Sequence, residues 1–379
     1  MRLAFLLYHY FPYGGRQRDL RYLVEELLRR GHHCRVYCLS WQGEAITGVE
    51  LRRVPVRALR RHRRYQCFSD QVRADLAVDP VDAVIGFNTL PGLDFYYAAA
   101  CALDEALAER GTWYRRSAVF RQVAAWELAI FAPAAKTHIL LPCELQRESF
   151  ARHYLTPAAR LHLLSPGVAF ARRAPEDAPE RRKTARARLG LEAQELALLF
   201  VGSAFVSKGL DRAITSLAHL RVEQPNVKSR LLVAGQDQPR RFQRLARRLG
   251  VAAGVEFLGG RDDIADLMLA ADLLVHPART EADGTVLLEA LAAGLPVVAT
   301  DVCGYAPHVK AARAGILLPA PFSQQQLDRA VMRYIDGVFR AECRSSALLY
   351  ARLTDLYSMH RQAADLVAAG FEAGVASVY

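Results

Sequence analysis

Apolar positions recur along this chain with the alternating rhythm of strands and helices. Leu3 to Tyr8 forms a short apolar run, followed by a glycine-bearing loop. Leu20, Leu23, Val24, Leu27 and Leu28 then fall at i, i+3, i+4, i+7 and i+8, the stripe of an amphipathic helix. Asp19 stands where an N-cap would, and Gly31 sits just past the expected end. Cys34 to Leu39 reads as the next strand, which completes a strand–helix–strand unit and so predicts a parallel sheet. Val81 to Phe87 and His138 to Leu141 are expected to be further buried strands.

After Pro166-Gly167 the texture changes. Residues 171–190, rich in Arg, Ala, Pro and Glu, read as a linker running into a helix. The rhythm then restarts with Leu196 to Val201, Arg230 to Ala234, Val255 to Leu258, Leu273 to His276 and Pro296 to Ala299 as strands. Helices are expected over 208–220, 239–249, 262–270 and 284–293. The prediction is an α/β protein with two doubly wound, Rossmann-like domains facing across a deep cleft, where ligands meet the carboxyl ends of the strands. The first domain should span 1–166 and the second 167–349, with C-terminal helices over 350–379 completing the first.

Composition narrows the class. The chain has 379 residues, enough for two domains, and no run of about 18 apolar residues that would span a bilayer. The opening apolar run is too short for a secretory core and lacks a small-residue cleavage site, which predicts a cytoplasmic protein. Seven scattered cysteines agree with that; Cys34 and Cys38 flank a strand-like stretch and have no second pair at zinc spacing. The net charge is +11, and residues 1–165 hold 23 Lys or Arg against 16 Asp or Glu. Seven arginines lie between Arg52 and Arg64. Such a field draws phosphate-rich partners, although a solvated cationic face would look the same.

The segment His276-Pro-Ala-Arg-Thr-Glu281-Ala-Asp-Gly284-Thr285-Val286-Leu-Leu-Glu289 is the most informative. A strand ends at His276, a short loop carries Glu281, and Gly284 opens a helix. The N–H groups of Thr285, Val286 and Leu287 at that helix start suit an anion. Glu289 is placed to accept from vicinal hydroxyls such as those of ribose. Gly202 to Gly209 departs from a Walker loop, yet Lys208 at its strand-to-helix turn brings an ammonium to the same end of the sheet.

Glu281-x7-Glu289 with Gly284, Lys208-Gly209, and Gly14-Gly15 after the first strand together resemble the retaining glycosyltransferases of the GT-B fold, family four of the sequence classification. Tyr8 to Asp19, Gly31 to Tyr37, Gly86 to Asp94, Ala234 to Arg240, Val302 to Tyr305 and Pro321 to Gln324 are similar to the lipopolysaccharide-core heptose glucosyltransferase type. The resemblance runs from Met1 to about residue 370 and implies a UDP-glucose-type donor with no metal and no further cofactor. It implies uracil near Arg261, ribose on Glu289, and diphosphate on Lys208 and the Gly284 helix. Glu281 would contact the sugar, Gly14-Gly15 would close over the diphosphate, and Asp19 would lie near the transferred hexose. Arg172 or Arg173 would supply another phosphate contact. Ser207 replaces an arginine usual in the family, and Thr89 and Ala100 also depart from its pattern.

The acceptor so implied is a lipid-linked, phosphorylated heptose of the lipopolysaccharide inner core. Trp113 to Phe131 mixes Arg115, Arg116 and Arg121 with Trp113, Tyr114, Phe120, Trp126 and Phe131, which suits an interfacial helix on an anionic leaflet. Peripheral association with the cytoplasmic face of the inner membrane is therefore expected; a core helix with snorkelling arginines would read similarly. A related transferase with another UDP-sugar or acceptor is the alternative. A basic nucleic-acid-binding protein lacks a recognition motif here, so no specific nucleic acid is expected. A dehydrogenase lacks G-x-G-x-x-G in either first turn.

Overall fold

The computed structural model describes residues 1–12, 14–98 and 112–372, leaving aside the side chains of 112–113 and 371–372. Two units emerge: Met1–Gly167 with Ser358–Tyr379, and Val168–Tyr357. Against the expected limits, the first boundary falls at 167 and the return to the first unit at 358. The return comes late because one continuous helix, Gly337–Leu353, buries Cys343, Ala347 and Ala351 in the second unit.

In the first unit, seven parallel strands lie in the order Glu50–Arg53, His33–Cys38, Arg2–Leu6, Ala83–Gly86, Phe95–Tyr97, His138–Leu141, Leu161–Leu163. Sequence order thus reverses between Arg2–Leu6 and Ala83–Gly86, the switch point of a doubly wound sheet. Tyr8, Phe68, Tyr96, Trp126, Ile130 and Phe131 belong to the core on one side of this sheet. The helix Gly15–Arg29 starts four residues before Asp19, which is therefore inside the helix rather than its cap. Its end is as expected, with Gly31 in the left-handed region at φ 81°.

The second unit holds six parallel strands in the order Val255–Gly259, Ser229–Ala234, Leu196–Val201, Leu273–His276, Val297–Thr300, Gly315–Leu318. The sixth, Gly315–Leu318, was not anticipated. Leu196–Phe200, Leu273–His276 and Val297–Thr300 are buried throughout, as strands covered on both faces must be. The switch point lies between Leu196–Val201 and Leu273–His276. The expected linker is in part a helix, Ala178–Arg188, whose Arg182 and Arg186 both pair with Asp272. Arg186 is 7% exposed and also donates to the carbonyls of Ala270, Glu192 and Glu195. These cations serve the fold of the second unit.

Candidate active site

The two strands that flank the second unit's switch point deliver its two most chemically active side chains. Lys208 follows Leu196–Val201 and Glu281 follows Leu273–His276, and Lys208 Nζ donates to Glu281 Oε2. His276 Nε2 lies 3.1 Å from the same oxygen. Burial alone would raise the Glu281 pKa. The hydrogen bond from His276 and the charge of Lys208 outweigh it and hold the carboxyl at about 2. Glu281 is therefore an anion at any working pH. Cys303, bridged to it through the backbone, is pushed up to about 12 by burial and by the Glu281 charge.

Both loops are tightly held. Phe205 N–H donates to Asp237 Oδ2 at 2.7 Å, and Arg279 N–H donates to the Ser207 carbonyl at 2.7 Å. The Arg279 guanidinium grips Asp211 at 2.8 and 2.6 Å and the Val206 carbonyl at 2.8 Å. A cation thus sits beside Ser207. Gly209, at φ 77°, comes so close to the neighbouring loop that a Cβ there would lie 2.1 Å from the Pro277 carbonyl oxygen.

Gly284 caps the helix Thr285–Ala292 at φ 78°, a left-handed conformation that glycine adopts without strain. A Cβ there would press on Glu281 Cγ at 3.2 Å and Cys303 Cβ at 3.3 Å. Thr285 and Val286 open the helix as expected. Leu287 differs, because its N–H donates back to the Gly284 carbonyl at 2.9 Å. One turn on, Glu289 is 4% exposed and has Arg172 Nε 3.7 Å from its Oε1. Arg173 instead lies over the Phe170 ring at 5.8 Å, so of the two candidates Arg172 is the one that faces Glu289. Arg261 pairs with Asp263, Nε to Oδ1 at 2.8 Å, just ahead of the helix Ile264–Ala270. No described contact joins it to Lys208, Glu281 or Glu289.

In the first unit Gly14 and Gly15 begin the helix after the first strand. A Cβ on Gly14 would collide with Gln17 Oε1 at 1.9 Å, and Gln17 is tied to the His9 carbonyl at 2.8 Å. Asp19 is 5% exposed and accepts from Tyr97 OH at 2.9 Å, with His360 Nε2 at 3.5 Å. Burial raises its pKa, and His360 and Arg18 more than reverse that shift. Asp19 thereby ties the first helix to the C-terminal helix, a role its place in the sequence did not suggest. Asn88 Oδ1, at the other side of this switch point, accepts from Tyr8 N–H at 2.8 Å.

The expected interfacial segment is a 3-10 turn, Thr112–Arg116, followed by the helix Ala118–Phe131. Arg115 and Arg116 are exposed, but Trp126 is not: it is 7% exposed and packs in the unit's core. Trp126 must be struck from the surface candidates, because the apolar stripe that suggested a membrane face is in part the core-facing stripe. The Trp113 side chain and Ala100 lie outside the described residues. No described helix is long and apolar enough to cross a membrane. Among the described residues no cluster of three or more His, Cys, Asp or Glu is arranged to hold a metal ion.

Two residues central to this geometry were underused in the sequence reading. His276 was read only as the end of a strand, and Arg279 only as part of a loop. A lone polar residue closing a buried apolar strand at the ligand end of the sheet was the available signal for the first.

Comparison with known proteins places the pattern. Residues 13–172 match the family Glycosyltransferase Family 4, and residues 181–347 match Glycosyl transferases group 1. The chain is 41% identical over 374 residues to the lipopolysaccharide glucosyltransferase WaaG of Escherichia coli K12, covering 98% of this chain and 100% of that one. The crystal structure of WaaG superposes with a TM-score of 0.94 over 97% of this chain and 100% of that one. Alr3699/HepE of Anabaena, solved with UDP-glucose, shares the fold at a TM-score of 0.76 and 19% identity, over 97% and 100% of the two chains.

Proposed function

The chain belongs to glycosyltransferase family four and has its GT-B fold of two Rossmann-like domains, and from that premise we propose that it transfers glucose from UDP-glucose to a heptose of the lipopolysaccharide inner core. The observation that carries this reading is the convergence of Lys208 and Glu281 at the second unit's switch point, ahead of the Gly284 helix and the buried Glu289. An ammonium and a helix N-terminus suit a diphosphate, and Glu289, with Arg172 beside it, suits a ribose diol next to a phosphate. Glu281 is left for the hexose hydroxyls. Arg261 is assigned to the uracil side.

The reaction then follows from charge. As the bond between the anomeric carbon and the β-phosphate oxygen breaks, negative charge grows on the phosphate, where Lys208, Arg172 and the N–H groups of Thr285 and Val286 stabilise it. The acceptor hydroxyl attacks the same face of the carbon that the phosphate leaves, and its proton passes to the departing phosphate oxygen. Configuration is retained without a covalent intermediate on the protein. Arg115 and Arg116 are assigned to the anionic surface that presents the lipid-linked acceptor on the cytoplasmic leaflet.

The test is transfer of label from UDP-glucose to lipopolysaccharide truncated after its heptoses. Labelled product with UDP-glucose, and little with UDP-galactose or UDP-GlcNAc, supports the reading. A reversed donor preference would move it to a related transferase of the same family.

A further inference from the structure

His276 closes a strand whose other residues, Leu273, Leu274 and Val275, are aliphatic, and its own ring is 1% exposed and stacked 6.3 Å from Phe200. An apolar side chain would fill that place. Instead an imidazole stands there with Nε2 3.1 Å from Glu281 Oε2, while its buried Nδ1 meets no hydrogen-bond partner among the described residues. A carboxylate only accepts, so Nε2 carries the proton of this contact, and Nδ1 is left buried with no partner among the described residues. Burying an unpaired polar atom destabilises the fold. Such a cost is expected where a side chain is needed for something other than stability.

What it serves is visible at Glu281. Two donors, Lys208 from one loop and His276 from the adjacent strand, converge on Oε2, and Oε1 accepts no hydrogen bond from a described residue. The carboxylate is thereby held with Oε2 spoken for and Oε1 left without a donor among the described residues. Lys208 cannot hold Oε2 and a diphosphate with equal effect. Once a pyrophosphate draws the ammonium away, Nε2 of His276 is the remaining donor that keeps the carboxylate in place.

We propose that His276 is the positioning residue for recognition of the donor hexose: it holds Glu281 oriented toward the sugar hydroxyls while Lys208 turns to the diphosphate. This rests on the donor assignment made above, with Glu281 on the sugar.

The test compares His276→Gln, whose amide nitrogen can replace Nε2, with His276→Phe or His276→Leu, whichever stays folded by near-UV circular dichroism. For each variant, calorimetric affinity is measured for UDP and for UDP-glucose, alongside kcat and KM. In the apolar variant UDP affinity should stay within about twofold, the advantage of UDP-glucose over UDP should vanish, and kcat should fall about 10- to 100-fold. His276→Gln should recover most of both. Equal losses in the Gln and apolar variants, or an apolar variant that discriminates UDP-glucose from UDP as the parent does, would overturn the proposal. Wild-type protein that binds UDP and UDP-glucose equally would instead overturn the donor assignment beneath it.

Discussion

Lys208 and Glu281, 73 residues apart in sequence, form a direct ion pair at the carboxyl ends of two adjacent parallel strands. Neither charge is well placed to be useful alone. A half-buried ammonium without its carboxylate would be free to turn into solvent, and a carboxylate this buried without its cations would take up a proton.

Lys208→Ala should reduce turnover about 100- to 1,000-fold, the usual loss when one donor to a developing oxyanion is removed. Glu281→Gln should lower kcat comparably while leaving UDP affinity nearly unchanged, because UDP carries no hexose. Steady-state kinetics and calorimetry with UDP check the two variants. Full activity in either would remove that residue from the assigned machinery.

Acid should probe Glu281 directly. Its folded-state pKa, about 2, lies below the ordinary value of 4.5. The ionised carboxylate therefore adds stability that is fully present above about pH 4.5 and is lost as pH falls toward 2. The linkage is worth roughly 3 kcal/mol at neutral pH. Urea midpoints for the parent and Glu281→Gln should converge as pH falls from about 5 toward 2; a gap that stays constant would contradict the assigned ionisation.

Arg172 and Arg173 are neighbours that ought to behave differently. Arg172→Ala should raise KM for the UDP-sugar about tenfold through the loss of a charge-assisted contact. Arg173→Ala, on the surface over Phe170, should change KM by less than about twofold. The reverse ranking would show that the segment turns over when donor binds.

Trp126 and the arginines before it separate fold from surface. Trp126→Ala should destabilise the protein by about 3–5 kcal/mol, as a buried indole leaves a cavity. Arg115→Glu with Arg116→Glu should leave the melting temperature unchanged and weaken binding to anionic vesicles, where each arginine contributes about 1 kcal/mol. Vesicle co-sedimentation that ignores both lipid charge and these substitutions would refute the membrane assignment.

Gly284→Ala should destabilise by roughly 1–2 kcal/mol, the cost of a left-handed conformation with a Cβ. It should lower activity further, because the new methyl presses on Glu281 Cγ. Differential scanning fluorimetry and turnover, read together, distinguish the two effects.

The second unit was legible wherever strands are long, apolar and buried on both faces, as in Leu196–Val201 and Leu273–His276. It was opaque at Gly315–Leu318, four residues with a leading glycine that a single-sequence pattern cannot tell from a loop. In the first unit Glu50–Arg53 escaped because an edge strand of charged residues has no hydrophobic period, and Phe95–Tyr97 and Leu161–Leu163 because three residues carry none. Asp19 was misread as a cap because its partners, Tyr97 and His360, lie 78 and hundreds of residues away along the chain. Local spacing records what a residue can do to its own helix; it is silent about distant side chains that fold back onto it. The same limit made Trp126 look like a surface aromatic and left His276 without an evident purpose.

The contact of Gly209 with the Pro277 carbonyl has a bearing on how this enzyme could diversify. Two segments that touch without a side chain between them cannot be lengthened or re-sequenced independently: an insertion in one is felt by the other, and through it by the pair of charges they carry. Changes of sugar preference in descendants of this chain should accordingly accumulate in other loops, leaving this junction as the inherited hinge pin around which they vary.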